Sequence, residues 1–110
     1  MIKNFKRLFI LILTANIYPV SDSCADPLVK GDIAYGEYLS SECVTCHIKS
    51  GSSQGIPSIT GWDPKDFVDV INMYKNKERS NQVMQLVASR LTDEQVVSLA
   101  VYFATIPAGE

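Results

Sequence analysis

Two thiols and an imidazole fall within five residues, Cys43-Val44-Thr45-Cys46-His47, and nothing else in the 110-residue chain narrows its architecture as much. A CxxCH run is the short motif by which haem is covalently fixed to protein. The two sulfurs add to the two vinyl groups of one haem, and the next residue turns its imidazole to the iron from the same side. A chain organised on this motif is expected to fold around a large flat ligand. Other uses of a CxxC pair need contexts that this sequence does not offer. A thioredoxin-like redox site sits in a βαβ pattern, whereas the flanks here read as helical. A zinc site needs two further Cys or His ligands, yet only Cys24 remains and His47 is the single histidine. A disulfide between Cys43 and Cys46 is a third alternative, and it leaves His47 without a role.

The start of the chain bears on compartment. Lys3, Lys6 and Arg7 precede an apolar run from Leu8 to Leu13, which continues weakly through Ala15, Ile17 and Val20 to small residues at Ser21, Ser23 and Ala25. That order matches a secretory signal peptide. Cleavage after Ala25 divides the chain into a signal peptide, 1–25, and a single domain, 26–110, and removes Cys24. The alternatives are a retained anchor and a lipoprotein signal ending at Cys24. The apolar stretch is shorter than the roughly 20 residues that span a bilayer and is broken by Asn16 and Pro19, while Ser21 and Asp22 suit a lipoprotein signal poorly. The expectation is an exported, periplasmic protein with no stable membrane anchor.

Residues 26–110 amount to 85 positions, one small domain near the lower limit for a self-sufficient hydrophobic core. A large buried ligand would supply the missing apolar contact, so little native structure is expected without it. The chain has 10 Lys+Arg and 12 Asp+Glu; residues 1–25 hold three of the former and one of the latter, leaving 7 basic against 11 acidic groups and a formal charge of −4. That balance disfavours nucleic acid as a partner.

The remaining pattern is all-α. From Asp32 to Glu42 the sequence lacks proline and places Ile33, Tyr35, Tyr38 and Leu39 at mixed three- and four-residue spacing, which predicts a helix feeding into Cys43. Ser50 to Gly55 and Ile56-Pro57-Ser58-Ile59-Thr60-Gly61-Trp62 read as one long loop. Asp63 ahead of Pro64 is an N-cap with a first-turn proline, and Phe67, Val70, Ile71 and Tyr74 carry the helical repeat to about Asn76. A polar run, 75–81, precedes a short apolar segment, Val83 to Val87, that ends near Arg90. Thr92-Asp93-Glu94-Gln95 is a capping box opening a last helix with Val96, Leu99, Ala100 and Phe103 on one stripe; Pro107 and Gly109 mark its end. Asp93 and Glu94 suit a helix start better than general acid/base work, and no catalytic constellation stands out.

With CxxCH near the start and an aromatic-bearing helix at the end, residues from about Gly31 to Ile106 resemble a class I monohaem cytochrome c. Gly55-Ile56-Pro57-Ser58-Ile59, Asp63-Pro64, Tyr74-Lys75, Val83-Met84 and Leu91-Thr92-Asp93 through Ala100-Val101-Tyr102-Phe103 are similar to a subgroup, the cytochrome subunits of flavocytochrome c sulfide dehydrogenases. Related small soluble carriers share much of this pattern. The resemblance implies three to five helices wrapped around one covalently bound haem c, attached through Cys43 and Cys46 and ligated by His47. Its implied work is electron transfer, not enzymatic turnover, with a flavoprotein as redox partner. The alternatives are a free-standing carrier, or a haem enzyme or sensor with an open iron position.

In that family the opposite iron ligand is usually a methionine sulfur, and beyond residue 25 the chain offers Met73 and Met84. At 100° per residue Met73 falls with Asp66 and Asp69, off the Phe67/Ile71/Tyr74 stripe. Met84 lies in an apolar context and matches the family's ligand position ahead of the final helix, although methionines in such stretches are ordinarily core filler. The resemblance also assigns the Pro57 carbonyl as acceptor for the imidazole N–H. Where relatives commonly carry glycine directly after the motif, this chain has Ile48. Trp62 is read either as edging the haem or as a core aromatic. Tyr35 or Tyr38 is expected to pack on Tyr102 or Phe103 where the terminal helices cross.

Overall fold

Each helix of this protein begins where a short polar side chain turns back on the first backbone N–H groups. The computed structural model describes residues 26–51 and 54–109; the expected signal segment, 1–25, lies outside them. Asp32 caps helix α1, Ile33–Ser40, by accepting the Tyr35 N–H at 3.0 Å. Asp63 caps α2, Pro64–Lys75, through the Lys65 N–H at 2.8 Å, and the proline occupies a position whose N–H has no helical partner in any case. Asn81 caps α3, Gln82–Arg90, at the Met84 N–H. Thr92 and Gln95 exchange both bonds of a capping box at the start of α4, Asp93–Thr105. A short 3-10 helix, Pro27–Lys30, capped by Asp26, precedes α1 and is absent from the sequence expectation. No strand occurs among the described residues, so the chain is all-α.

Helix α4 is the centre of the fold. Val96, Leu99, Ala100 and Phe103 are buried on it and meet Phe67 and Ile71 of α2, Ala88 of α3 and Ile59 of the long loop. The Phe67 and Phe103 rings stack with centroids 5.8 Å apart. At one end, Lys75 at the close of α2 donates to Asp93 at the opening of α4, 3.1 Å away. Each charge there opposes the partial charge of its own helix terminus. Helix α3 packs chiefly on α2 and buries only Ala88 fully.

The crossing of α1 and α4 departs from the expected tyrosine contact. Tyr38 is 77% exposed, and the Tyr35 hydroxyl instead accepts the Gln95 side-chain N–H at 3.0 Å. Gly36 makes the contact: a Cβ there would overlap the Ser98 carbonyl and come within 2.7 Å of Tyr102 Cβ. Fully buried Ser98 fixes the same crossing through its hydroxyl, which accepts the Asp32 N–H at 3.1 Å. With backbones this close, Ile33 and Tyr38 are left exposed. α1 also ends two residues earlier than expected, at Ser40, and continues as tight turns.

Gly36→Ala tests this packing. Alanine favours a helix by up to about 1 kcal/mol over glycine, whereas overpacking against a backbone costs about 1–3 kcal/mol. The variant is expected to be less stable in urea unfolding of the haem-loaded protein, and a gain in stability would contradict the close crossing.

Candidate haem site

The motif is laid on consecutive turns that follow α1 directly. The Ser40 carbonyl accepts the N–H groups of Cys43 and Val44 at 2.9 and 3.0 Å, and the Cys43 carbonyl accepts those of Cys46 and His47 at 3.2 and 2.9 Å. Residues three apart on such turns are neighbours, so the two thiols belong to one short patch. Both are free; Cys43 is half-buried and Cys46 exposed. Burial pushes the Cys43 thiol above its ordinary value and the Glu42 carboxylate adds to the shift, which keeps it in the S–H form at neutral pH. No three His, Cys, Asp or Glu side chains converge among the described residues, so the donor set of a zinc cluster is not assembled there.

His47 has one nitrogen committed. Its Nδ1 lies 2.8 Å from the Pro57 carbonyl oxygen. A carbonyl only accepts, so Nδ1 carries the hydrogen, and in the neutral ring Nε2 keeps a lone pair. This is the arrangement in which a histidine serves as a metal ligand with a fixed ring orientation. The loop between the two residues turns at Gly51, whose N–H donates to the Ile48 carbonyl at 2.9 Å and whose φ is +71°. Ile48 therefore occupies ordinary backbone, and the left-handed residue that the turn requires stands three positions later, where glycine adopts it without strain.

The two methionines separate as the helix geometry expects. Met73 is 37% exposed, whereas Met84 is half-buried and packs against the core cluster. Around α3, Leu86, Val83, Val87, Met84 and Ala88 span an apolar arc of about 200° at 100° per residue. One edge of that arc meets the core, and Val83, Leu86 and Val87 remain exposed. Together with Val44 and Ile48 they make up five of the eight exposed large hydrophobic residues among those described. Val83, Leu86 and Val87 adjoin one another on one helix face, the kind of contiguous exposed apolar patch that marks binding surfaces. The residues present fit a haem: two free thiols, an imidazole with a bare Nε2, a thioether on another helix, and unshared apolar side chains on both segments.

Trp62 donates its indole N–H to the Ser58 carbonyl at 3.1 Å and packs against the core cluster, as Cys43 and Met84 also do. The supporting side of the loop was not evident from sequence: Ser58 and Thr60 link their hydroxyls at 3.1 Å, and Gly109 donates its N–H to Thr60 at 3.2 Å. The small residues after Pro107 were a signal of close chain approach, although they read only as a helix stop.

No protein-family model matches the chain. Curated relatives include the "Cytochrome subunit of sulfide dehydrogenase" of Chlorobaculum tepidum, 32% identical over 99 residues that cover 88% of this chain and 90% of that protein. They also include the cytochrome c4 of Thiocapsa roseopersicina, 36% identical over 67 residues that cover 59% of this chain and 34% of that protein. Strand-free architecture and near full-length similarity to a cytochrome agree. The chain belongs to the class I cytochromes c, and its work is electron transfer rather than the transformation of a substrate.

Proposed function

We propose that this chain is a periplasmic electron carrier holding one covalently attached haem c, with His47 and Met84 as the residues that hold its iron and a flavoprotein as electron donor. The observation that carries the reading is the 2.8 Å contact of His47 Nδ1 with the Pro57 carbonyl, directly after two free thiols. When bound, haem supplies one-electron exchange between ferric and ferrous iron. Cys43 and Cys46 would anchor the group by thioether bonds, each S–H adding across a vinyl group. His47 would hold the iron through Nε2, with Pro57 keeping the proton on Nδ1. Met84 would supply a neutral, soft sulfur, which favours the ferrous state and raises the potential relative to a harder ligand. Val83, Leu86 and Val87 offer exposed apolar surface that such a group could cover.

The donor assignment is supported by similarity along 88% of the chain to a protein named as a sulfide dehydrogenase subunit. Similarity to cytochrome c4 favours a second reading, a carrier without a permanent partner. Export is supported by the order of residues 1–25, and no helix among the described residues is long and apolar enough to cross a membrane.

Three measurements test the proposal. Met84→Ala is expected to abolish the methionine-to-iron charge-transfer band of the ferric protein, while Met73→Ala leaves it intact; ready binding of carbon monoxide by the ferrous wild type would instead show an open iron position. Replacing Cys43 and Cys46 together by alanine should remove all haem that survives a denaturing gel, and staining equal to wild type would refute covalent attachment through these sulfurs. Affinity purification from the native host is expected to bring down a flavoprotein in stoichiometric amount. Recovery of the cytochrome alone would favour the free carrier.

A further inference from the structure

The loop that carries Pro57 is held from behind by residues with no place in the proposed ligand set. Thr60 is buried, at 7% exposure, and its hydroxyl sits 3.1 Å from Ser58 Oγ while accepting the Gly109 N–H at 3.2 Å. The Ser58 carbonyl accepts the Trp62 indole N–H at 3.1 Å. The residue directly after Pro57 is thus fixed through both its side chain and its carbonyl. Packing on this side leaves no slack: a Cβ at Gly109 would overlap the Lys49 carbonyl, and one at Gly61 would come within 2.7 Å of the Ala108 nitrogen. The Gly61 N–H also donates to the Phe103 carbonyl at 2.9 Å, tying the loop to α4. On the other side of Pro57, Gly55 takes a φ of +79° and a Cβ there would meet nothing within 4 Å. The tightly packed side is the one that contains Thr60.

We propose that Thr60 is a positioning residue for the histidine side of the haem, its hydroxyl joining Gly109 to Ser58 so that the Pro57 carbonyl stays at hydrogen-bond distance from His47. Trp62 acts in the same direction through the Ser58 carbonyl. The inference rests on the reading of His47 as an iron ligand. A firm bond from Nδ1–H to a carbonyl makes the imidazole a stronger donor at Nε2, which stabilises ferric iron. A slack bond has the opposite effect and raises the potential.

The test compares Thr60→Val, which removes the hydroxyl at similar volume, with Thr60→Ser, which keeps it, both in the haem-loaded protein. Thr60→Val is expected to raise the reduction potential and to speed solvent exchange of the His47 Nδ1 proton, followed by NMR, on the order of tenfold, as loss of one net hydrogen bond implies. Thr60→Ser should restore both readouts towards wild type. Unchanged potential and exchange in Thr60→Val, or equal changes in both variants, would overturn the proposal. If Thr60→Val fails to retain haem, Trp62→Phe decides: raised potential with faster exchange supports the positioning role, and wild-type values overturn it. Failure of the underlying reading has its own signature. If His47→Ala keeps the wild-type low-spin haem spectrum, His47 is not the ligand and the inference falls with it; a lost spectrum with unresponsive Thr60 and Trp62 variants removes the positioning role alone.

Discussion

The close approach of α1 to α4 at Gly36 determines where the motif begins. With the Ser98 carbonyl against the backbone of α1 and the Ser98 hydroxyl holding the Asp32 N–H, α1 has little freedom to slide or rotate along α4. Ser40 then ends the helix at a set height, and its carbonyl starts the turns on which Cys43, Cys46 and His47 stand. The far end of α4 carries Phe103, which stacks on Phe67 of α2 and accepts the Gly61 N–H. One helix therefore references both the segment that bears the histidine and the loop that bears its acceptor. In a chain with so few buried residues, this shared reference does the work that a larger core performs elsewhere.

Local chemistry made much of this legible. The capping box at Thr92 and Gln95 and the Asp63-Pro64 start depend on residues within one turn of each other, so sequence alone indicates them. The separation of Met73 from Met84 follows from the helical repeat in the same way. What escaped was non-local. Gly36 is a weak residue in any reading of propensity, and its importance comes from Ser98, far along the chain. The tyrosines nearby have the right chemistry for a helix crossing, but a crossing built on glycine brings backbones together and excludes large rings. Thr60 and Gly109 meet across 49 positions, a pairing that no periodicity announces. The 3-10 helix at Pro27–Lys30 was missed because it is a single capped turn with no repeat to detect.

Charge and polarity are distributed in keeping with an electron carrier. Among the described residues no buried side-chain nitrogen or oxygen lacks a hydrogen-bond partner. The ion pair between Lys65 and Asp69 lies on the exposed face of α2, where its contribution to stability is small.

Helix α3 stands apart in this scheme, since Ala88 is its one fully buried residue and α2 its main support. Elements with few buried apolar contacts open at the lowest free energy. α1 buries no large apolar side chain either, but its backbone meets α4 directly at Gly36 and Ser98, so α3 is expected to detach before the α1–α4 pair separates. If Met84 is the second ligand, its sulfur would ride on a helix held chiefly by α2, whereas the imidazole would follow, through the turns after Ser40, a helix joined directly to α4. Heating or denaturant would then release the sulfur before the histidine.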